Sequence, residues 1–325
     1  MRAPAFWFLS PGILVWFLAP LSWIWRFGTT LRRIKASPKP NPVPVICIGN
    51  LTVGGAGKTP TVAAIAMRLS RQGRKVAVVS RGYGGKIEGP HQVGAASDLA
   101  SDVGDEPLLL AQMTTVWVAR DRSQGVRSAA AAGAEVVLLD DGYQNPNVVK
   151  DASVLVVDAE QGFGNGHVLP AGPLREPVEG GIDRADHVIL IGNPDQRSRA
   201  VTQWPLLRNA HSARLMPLQT GIDLSGQSVV AFAGIGRPQK FFDTLNEMGA
   251  QIVQAHAFAD HHVYSDWVIA RMLREAQAAG AMLVTTEKDA IKLPEHLRRD
   301  ILALPVRLDL DDWSSLDRFI DDLLD

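Results

Sequence analysis

A glycine-rich segment that follows a short apolar run constrains the fold of this chain more than any other feature. Residues 45–48 read Val-Ile-Cys-Ile, a pattern typical of a buried parallel strand. The glycine-rich segment 52–57 comes next, and a helix is predicted over about 61–72. Strand, glycine-rich turn and helix, in that order, form a phosphate-binding loop, in which backbone N–H groups and the helix N-terminus face phosphate oxygens. We therefore expect the chain to bind a nucleoside triphosphate.

The residues of this loop suggest individual roles. Lys58 is expected to reach the terminal phosphates, and the Thr59 hydroxyl to bind Mg²⁺. The usual spacing G-x-x-x-x-G-K-[ST] places its first glycine at position 52, where this chain has Thr52. The remainder resembles the loop of dimeric partitioning-type ATPases, which carry a lysine where this chain has Val53. The residues predicted to contact the nucleotide are Gly54, Gly55, Ala56, Gly57, Lys58 and Thr59. The alternative is a glycine-rich turn before an ordinary helix.

Charge is distributed unevenly along the chain. The 325 residues include 33 Lys and Arg and 34 Asp and Glu, and no acidic residue precedes Glu88. A cationic first quarter suits anionic lipid and polyphosphate, and no nucleic-acid-binding motif accompanies it, so we expect no nucleic-acid partner. The single cysteine, Cys47, excludes an internal disulfide and fits a reducing cytoplasm.

The N-terminal segment is uncharged from residue 3 to residue 25 and contains seven aromatic side chains. As a helix it would be about 35 Å long, enough to cross hydrocarbon of about 30 Å. Pro11 and Pro20 argue against a straight span, and the aromatic residues favour an interfacial position. A membrane anchor, either spanning or interfacial, and a buried hydrophobic helix are the alternatives. The cations expected to face the anionic cytoplasmic leaflet are Arg26, Arg32, Arg33, Lys35 and Lys39.

Apolar runs recur along the rest of the chain in two series, separated by helix-compatible stretches. The first series lies at 45–48, 76–79, 115–118, 136–139, 154–157 and 188–191, and the second at 229–233, 252–255, 282–285 and 305–308. Unalternating Val, Ile and Leu runs between helices predict parallel sheets covered on both faces. We therefore predict an α/β protein with an N-terminal segment (1–36), a larger unit (37–215) and a smaller α/β unit (216–325). The two units are expected to meet around residues 205–225.

Three further polar motifs carry candidate chemistry. Asp140 and Asp141 follow an apolar run, and in phosphate-loop proteins an acid at such a strand end holds Mg²⁺, although many strands simply end in Asp-Gly turns. Asp105 lies just before a helix predicted to start near Pro107, where a carboxylate also caps. The histidine pair at 261–262 has no third ligand at a recognisable spacing, so no zinc site is expected.

Taken together, these motifs resemble those of the tetraacyldisaccharide 4′-kinase family, which phosphorylates the lipid A precursor in Gram-negative bacteria. The matching strings extend over nearly the whole chain beyond the N-terminal segment. They are GNLTVGGAGKTP (49–60), SRGYGG (80–85), DVGDEP (102–107), DDGYQ (140–144), LPAGPLREP (169–177), FADHH (258–262) and TTEKDAIKL (285–293).

The resemblance implies a fold and a reaction. The fold would be a P-loop NTPase-like parallel sheet covered by helices, with a smaller C-terminal α/β unit contributing to the active-site cleft. The enzyme would transfer the γ-phosphate of ATP, with Mg²⁺, to the 4′-hydroxyl of tetraacyldisaccharide 1-phosphate, giving lipid IVA. Its partners would be this lipid and the cytoplasmic leaflet of the inner membrane, with an N-terminal anchor and no obligate protein partner. The rival interpretations are a P-loop kinase of another acceptor and a membrane-associated partitioning-type ATPase.

The resemblance also implies roles for individual residues. Asp105 corresponds to the family's proposed general base, and His261 to the histidine that supports it, with His262 as the adjacent rival. One departure is Asn145, at a position where the family usually has histidine, so no role is transferred to it. The residues implied to form the Mg²⁺, phosphate and nucleotide environment are Asp140, Asp141, Gln144, Arg175 and Glu176.

Overall fold

The computed structural model describes residues 4–218 and 221–324. The strands are β1 (Val45–Gly49), β2 (Val76–Ser80), β3 (His91–Gln92), β4 (Thr115–Val118), β5 (Val136–Asp140), β6 (Ala152–Asp158), β7 (His187–Ile191), β8 (His211–Pro217), β9 (Ser228–Ala233), β10 (Gln251–Ala257), β11 (Met282–Thr286), β12 (Leu302–Leu304) and β13 (Val306–Leu310). The α-helices are α1 (Ile13–Lys35), α2 (Lys58–Arg71), α3 (Ala100–Val103), α4 (Asp105–Ala111), α5 (Arg122–Ala131), α6 (Val178–Ile182), α7 (Pro194–Gln203), α8 (Pro238–Glu247), α9 (Asp266–Ala278), α10 (Glu287–Ala290), α11 (Glu295–Arg298) and α12 (Ser314–Leu324).

The larger sheet has nine strands in the order β13-β8-β7-β6-β1-β5-β2-β4-β3. The strands from β8 to β4 pair in parallel, whereas β13 and β3 pair antiparallel at the two edges. Strand β1 lies between β5 and β6, with Ile48 in register with Asp140 and Val154. Because parallel strands end at the same edge of a sheet, the loop after β1 lies beside the residues that follow β5.

Both faces of the larger sheet are buried, as its unalternating apolar strands predict. Ile46 and Ile48 of β1 pack into a cluster with α2, α4 and α12, whereas Val45 and Cys47 pack into a second cluster with α5, α6 and α7. Successive strand residues point to opposite faces, so a strand covered by helices on both sides must be apolar throughout.

The smaller sheet contains four parallel strands in the order β10-β9-β11-β12. Helix α8 covers one face through Phe241, Phe242 and Leu245, and α9 covers the other through Ile269 and Met272. The predicted α/β architecture, with a larger and a smaller parallel sheet, is therefore observed.

One predicted strand lies in a different sheet from the one expected. The run at 305–308 was assigned to the second series, but β13 pairs antiparallel with β8, with Leu308 opposite Leu215. An apolar run predicts a strand but does not specify which sheet edge accepts it. The predicted junction at 205–225 likewise contains β8, a strand of the larger sheet, while residues 219 and 220 of that junction lie outside the described residues.

The N-terminal segment forms a 3₁₀ turn and then a long helix. The 3₁₀ turn at Ala5–Phe8 precedes α1, which includes Pro20 and ends among basic residues. Residues 1–3 of the uncharged segment lie outside the described range. One side of α1 is attached to the body of the protein: the Ser22 hydroxyl donates to the Val168 carbonyl (2.7 Å), and the Trp25 indole donates to the Arg175 carbonyl (3.1 Å). In the part of the chain that the structure describes, no helix is long and apolar enough to cross a membrane.

Candidate active site

The loop between β1 and α2 has the geometry of an anion-binding turn. Gly54 and Gly57 have φ angles of 119° and 90°, a conformation that side chains other than hydrogen rarely tolerate. Helix α2 then begins at Lys58, with Gly57 as its N-cap, so the free N–H groups of its first turn open towards the loop. We call residues 50–57 the phosphate loop.

Lys58 connects this loop to the acidic residues that follow β5. Its ammonium Nζ lies 3.2 Å from Oδ1 of Asn50 and 3.8 Å from Oδ1 of Asp141. Asn50 is fully buried, and its amide lies within hydrogen-bond distance of the Gly54 carbonyl (3.4 Å). Asn50 was quoted in the sequence motif without a role; in the structure it holds the lysine and the loop together.

Asp140 and Asp141 differ sharply in their surroundings. Asp140 is buried, and its Oδ1 has no hydrogen-bond partner. Burial, together with the neighbouring Glu106 and Asp141 carboxylates, raises the pKa of Asp140 to about 7. Burial opposes ionisation of Asp141 as well, but Lys58 and Arg175 outweigh it and lower the pKa of that carboxyl. The cations near Asp140, Lys58 and Arg122, are thus too few to offset its burial and the neighbouring carboxylates.

The residues Gln144, Arg175 and Glu176 form one connected network beside Asp141. The Arg175 guanidinium donates to both oxygens of Asp141 (2.8 and 3.2 Å) and to the Gln144 side-chain carbonyl (3.2 Å). The Gln144 amide in turn donates to the Asn50 carbonyl (2.9 Å) and to Oε1 of Glu176 (3.0 Å). The structure therefore brings these three predicted residues to the phosphate loop.

Glu176 is buried, and both of its carboxylate oxygens are engaged by protein donors. Arg184 binds Oε1 at 3.0 Å and Oε2 at 2.9 Å, and Arg33 of α1 binds Oε2 at 2.5 Å. These contacts hold the pKa of Glu176 below its usual value although burial raises it. The position of α1 is thereby coupled to the nucleotide side of the site.

On the other side of the site, a carboxylate from the larger unit contacts an imidazole from the smaller unit. Asp105 begins α4 and is buried, and its Oδ2 lies 2.9 Å from Nδ1 of His261, in the loop after β10. Burial would raise the pKa of Asp105, but the hydrogen bond from His261 and the charge of Lys288 lower it. The same hydrogen bond raises the pKa of His261. We call this pair the dyad.

His261 rather than His262 reaches Asp105. His261 has a φ angle of 58° and lies 5.3 Å, between ring centroids, from Tyr83 of the 80–85 motif. His262 instead stacks on Phe258 at 4.7 Å and contacts the Tyr264 ring edge-on at 5.0 Å. Among the described residues, the non-glycine positions with positive φ are His261 and Asp141, and both lie in this site, where local strain is common.

Two further charged residues of the site were not predicted from the sequence. Arg122, at the start of α5, is buried and donates to the Asp141 carbonyl (2.8 Å). Lys288 lies in the quoted motif at 285–293, to which no residue role was assigned from the sequence. Neither residue has a local sequence signal, because each reaches the site from a separate element.

Comparisons with known proteins find relatives that match almost the whole chain. Residues 14–325 match the family described as Tetraacyldisaccharide-1-P 4′-kinase. The chain is similar to the tetraacyldisaccharide 4′-kinases of Jannaschia sp. (strain CCS1), with 49% identity over 100% of this chain and 99% of the relative, and of Dinoroseobacter shibae, with 50% identity over 99% and 98%.

A solved structure shows the same fold. The chain superimposes on the "apo" form of LpxK from Aquifex aeolicus in complex with ATP, with a TM-score of 0.78 and 28% sequence identity, covering 96% of this chain and 100% of that one. The match of a family model to almost the full length, with relatives near 50% identity over whole chains, shows the family. This chain belongs to the tetraacyldisaccharide-1-P 4′-kinase family.

Proposed function

We propose that this chain transfers the γ-phosphate of ATP to the 4′-hydroxyl of tetraacyldisaccharide 1-phosphate, a lipid A precursor. Membership of the kinase family carries this proposal and favours it over a partitioning-type ATPase. The ATP in the related Aquifex aeolicus structure supports ATP as the phosphate donor. The site agrees, because the phosphate loop and the buried carboxylate–imidazole pair lie close together: a Cβ added at Gly236 would lie 3.9 Å from the Gly55 nitrogen and 3.7 Å from Oδ2 of Asp260, the neighbour of His261.

On the nucleotide side, the phosphate loop and Lys58 would hold the β- and γ-phosphates. The N–H groups at the start of α2 would bind phosphate oxygens, while Lys58 and Arg175 would neutralise the charge that develops during transfer. Both cations are already held by Asp141 (3.8 and 2.8 Å), so they need little reorganisation when the nucleotide binds.

The residues present fit a magnesium ion. Asp140 offers a buried oxygen without a partner, and Thr59 lies in the first turn of α2. Mg²⁺ takes few protein ligands and completes its shell with water and phosphate. Thr59 and Asp140 would hold the ion, with Asp141 beside them. When bound, the ion would neutralise phosphate charge and align the leaving group.

On the acceptor side, the dyad would activate the sugar hydroxyl. The proton of the 4′-hydroxyl would pass to Asp105, and the alkoxide oxygen would form the new bond to phosphorus as the bond to the β-phosphate oxygen breaks. His261 would orient Asp105 and share the proton through the 2.9 Å hydrogen bond.

The N-terminal helix is suited to meeting a lipid substrate at a membrane surface. Apart from the side that packs on the body of the protein, α1 exposes a stripe of large apolar side chains. They include Ile13 (89% exposed), Trp16, Phe17 (78% exposed), Trp23, Ile24, Phe27 and Ile34. Three basic residues lie in its last turn. An apolar stripe that ends in cations is typical of interfacial helices on anionic leaflets, and we place the enzyme at the cytoplasmic face of the inner membrane.

The two sheets support a division into two units beside the N-terminal segment, with the bounds predicted from the sequence kept as a proposal. Residues 1–36 would form the membrane-associated segment, 37–215 the P-loop kinase unit and 216–325 the smaller unit that completes the cleft. The final strand and helix of the chain return to the larger sheet, since β13 pairs with β8. This return fixes the C-terminal end of the smaller unit to the kinase unit.

The reaction is tested by incubating the full-length protein with γ-labelled ATP and tetraacyldisaccharide 1-phosphate in detergent micelles. We expect label in the lipid product, and none when the acceptor lacks a free 4′-hydroxyl. ATP hydrolysis that is independent of the lipid, with no labelled lipid, would instead support the ATPase alternative. Label on a different acceptor alone would support another P-loop kinase.

A further inference from the structure

Lys288 lies at the centre of an acidic cluster around the dyad. Its ammonium Nζ is 3.0 Å from Oε1 of Glu106, 3.6 Å from Oδ1 of Asp260 and 3.8 Å from Oδ2 of Asp105. The lysine side chain is 18% exposed, and that of Asp105 is 4% exposed. One ammonium thus faces three carboxylates, two from α4 and one from the loop that carries His261.

The backbone that presents Lys288 is firmly anchored. Asp289, the next residue, is fully buried and accepts hydrogen bonds from the Gly234 N–H (2.9 Å), the Thr286 hydroxyl (2.7 Å) and the Tyr264 hydroxyl (2.9 Å). Thr286 also caps α10. Rotation of this short helix would break its bonds to Gly234 and Tyr264, so Lys288 projects from a fixed position in the smaller unit while its ammonium lies against α4 of the larger one.

The charges around Asp105 show why this ammonium matters. Asp105 faces His261 and Lys288, with Lys292 as a more distant cation held by Asp289 at 2.7 Å. Glu106 and Asp260 contribute negative charge to the same space. Burial opposes the charged form of Lys288, but these carboxylates outweigh it and raise its pKa. The lysine therefore stays protonated and is the nearest permanent positive charge to the base.

We propose that Lys288 is a positioning residue for the dyad: it holds Asp105 as a carboxylate against His261 and brings that charge from the smaller unit. This inference rests on the proposed function, since it assigns Lys288 to the base of the same reaction. Lys288 would not touch the substrate. It would act by offsetting the negative charge of Asp105, Glu106 and Asp260, which the phosphates of the bound nucleotide would otherwise increase.

The proposal predicts a shift in the pH profile with a definite sign. The Lys288 charge favours ionised Asp105 and disfavours protonated His261, so its removal raises the pKa of both groups. As the pH falls, a base with a raised pKa becomes protonated, and so inactive, at a higher pH. The acid limb of kcat/KM should therefore move to higher pH, by about one pH unit for the loss of one adjacent charge.

The experiment measures labelled lipid formation across pH for wild type, Lys288→Met and Lys288→Arg. We expect Lys288→Met to lower kcat/KM by up to about 10-fold at pH values on the acid limb, where a shift of about one pH unit has its full effect, with recovery at higher pH and little change in the KM for ATP. Lys288→Arg keeps the charge and should leave the acid limb in place. In an Asp105→Asn background, Lys288→Met should cause little further loss, because both act on one step.

Lys240→Met is the matched control. Lys240 also belongs to the smaller unit and pairs with a buried carboxylate of the larger one, Asp158, at 2.7 Å, but that pair does not include the dyad. We expect the acid limb of kcat/KM for the Lys240→Met variant to match that of wild type. Circular dichroism melts check that each variant is folded, and Lys288→Arg carries the test if Lys288→Met does not fold.

For Lys288→Met, two outcomes would overturn the proposal. One is wild-type turnover with an unmoved acid limb. The other is an equal loss of turnover at every pH that also appears in Lys240→Met. For Lys288→Arg the contradicting result is an acid limb that moves although the charge is retained. If wild type itself forms no labelled lipid, the proposed function fails instead, and the two failures are thereby distinguished.

Discussion

Nδ1 of His261 lies 2.9 Å from Oδ2 of Asp105, although the two residues belong to units built on different sheets. The contact exists only when the loop after β10 lies against the start of α4. The proposed base is therefore complete only in this arrangement of the two units. Premature transfer of phosphate to water would be limited by the same requirement.

Loss of either member of the dyad should affect a single chemical step. We expect Asp105→Asn and His261→Asn each to lower kcat by about 10²–10⁴-fold, with the double variant far less impaired than the product of the single losses. Asparagine is chosen at 261 because it tolerates positive φ. Single-turnover rates of labelled lipid formation provide the measurement. His262→Ala is the control; severe loss there with normal turnover in His261→Asn would reverse the assignment.

The dyad should also make stability depend on pH. The pKa of His261 is raised. The contribution of His261 to the free energy of unfolding is therefore fully present below about pH 6.5 and is lost as pH rises through the folded-state pKa. The pKa of Asp105 is lowered. The contribution of Asp105 to the free energy of unfolding is therefore present above about pH 4 and is lost as pH falls through the folded-state pKa. The melting-temperature difference between wild type and His261→Asn should therefore be larger near pH 5.5 than near pH 9. Equal differences at both would show that the pair does not couple to folding.

Lys58→Ala should abolish most of the activity while leaving the fold intact. The Lys58 ammonium contacts Asn50 and Asp141 at the site, and it is the cation proposed to bind the nucleotide phosphates. We therefore expect a loss of about 10²-fold or more in kcat. Lys75→Ala, at an exposed position just before β2, is the control. Near-normal lipid labelling by Lys58→Ala would contradict the assignment of the loop.

Gly57→Ala should destabilise the protein through two separate effects. Gly57 has a φ of 90°, and a Cβ there would lie 2.6 Å from Cδ1 of Ile191. We expect a loss of about 2–4 kcal/mol in the free energy of unfolding, measured by urea denaturation. Ile191→Val removes the clashing methyl and should restore only part of the loss, because the backbone strain remains. Full restoration would mean that the clash alone requires glycine.

Replacing exposed apolar residues of α1 should weaken membrane binding without unfolding the protein. Trp16 and Trp23 are 68% and 72% exposed, so we expect a Trp16→Gln/Trp23→Gln variant to sediment less with anionic vesicles and to melt at nearly the wild-type temperature. The basic end of the helix would leave weak, salt-sensitive binding, at up to about 1 kcal/mol per cation. Ser22→Ala, on the packed side, is the control. Unchanged binding at high salt would point to another membrane-binding surface.

The sequence predicted most elements because their signals are local. The strand–loop–helix order at 45–72 predicted β1, the phosphate loop and α2, and the apolar runs predicted most of the parallel strands of both sheets, without β8 and β12. The sheet predicted for β13 was wrong because strand pairing depends on which edge is free. Strand β8 was missed because its sequence, His-Ser-Ala-Arg-Leu-Met-Pro, contains no continuous apolar run. The uncharged segment 3–25 predicted a hydrophobic helix, but only the structure shows that one side of α1 packs on the body of the protein, through contacts such as the one between Ser22 and Val168.

The sequence by itself determined the chemistry that the chain can offer: a glycine-rich turn with Lys58, two acids after an apolar strand, and the motifs that identify the family. Tertiary structure alone decided which of these side chains act together. It selected His261 over His262, left one oxygen of Asp140 unpaired, engaged Glu176 with two arginines and placed Lys288 beside the dyad. These relationships depend on distances of about 3 Å between residues far apart in the chain, and such distances are set by how the two sheets pack, which no local sequence pattern encodes.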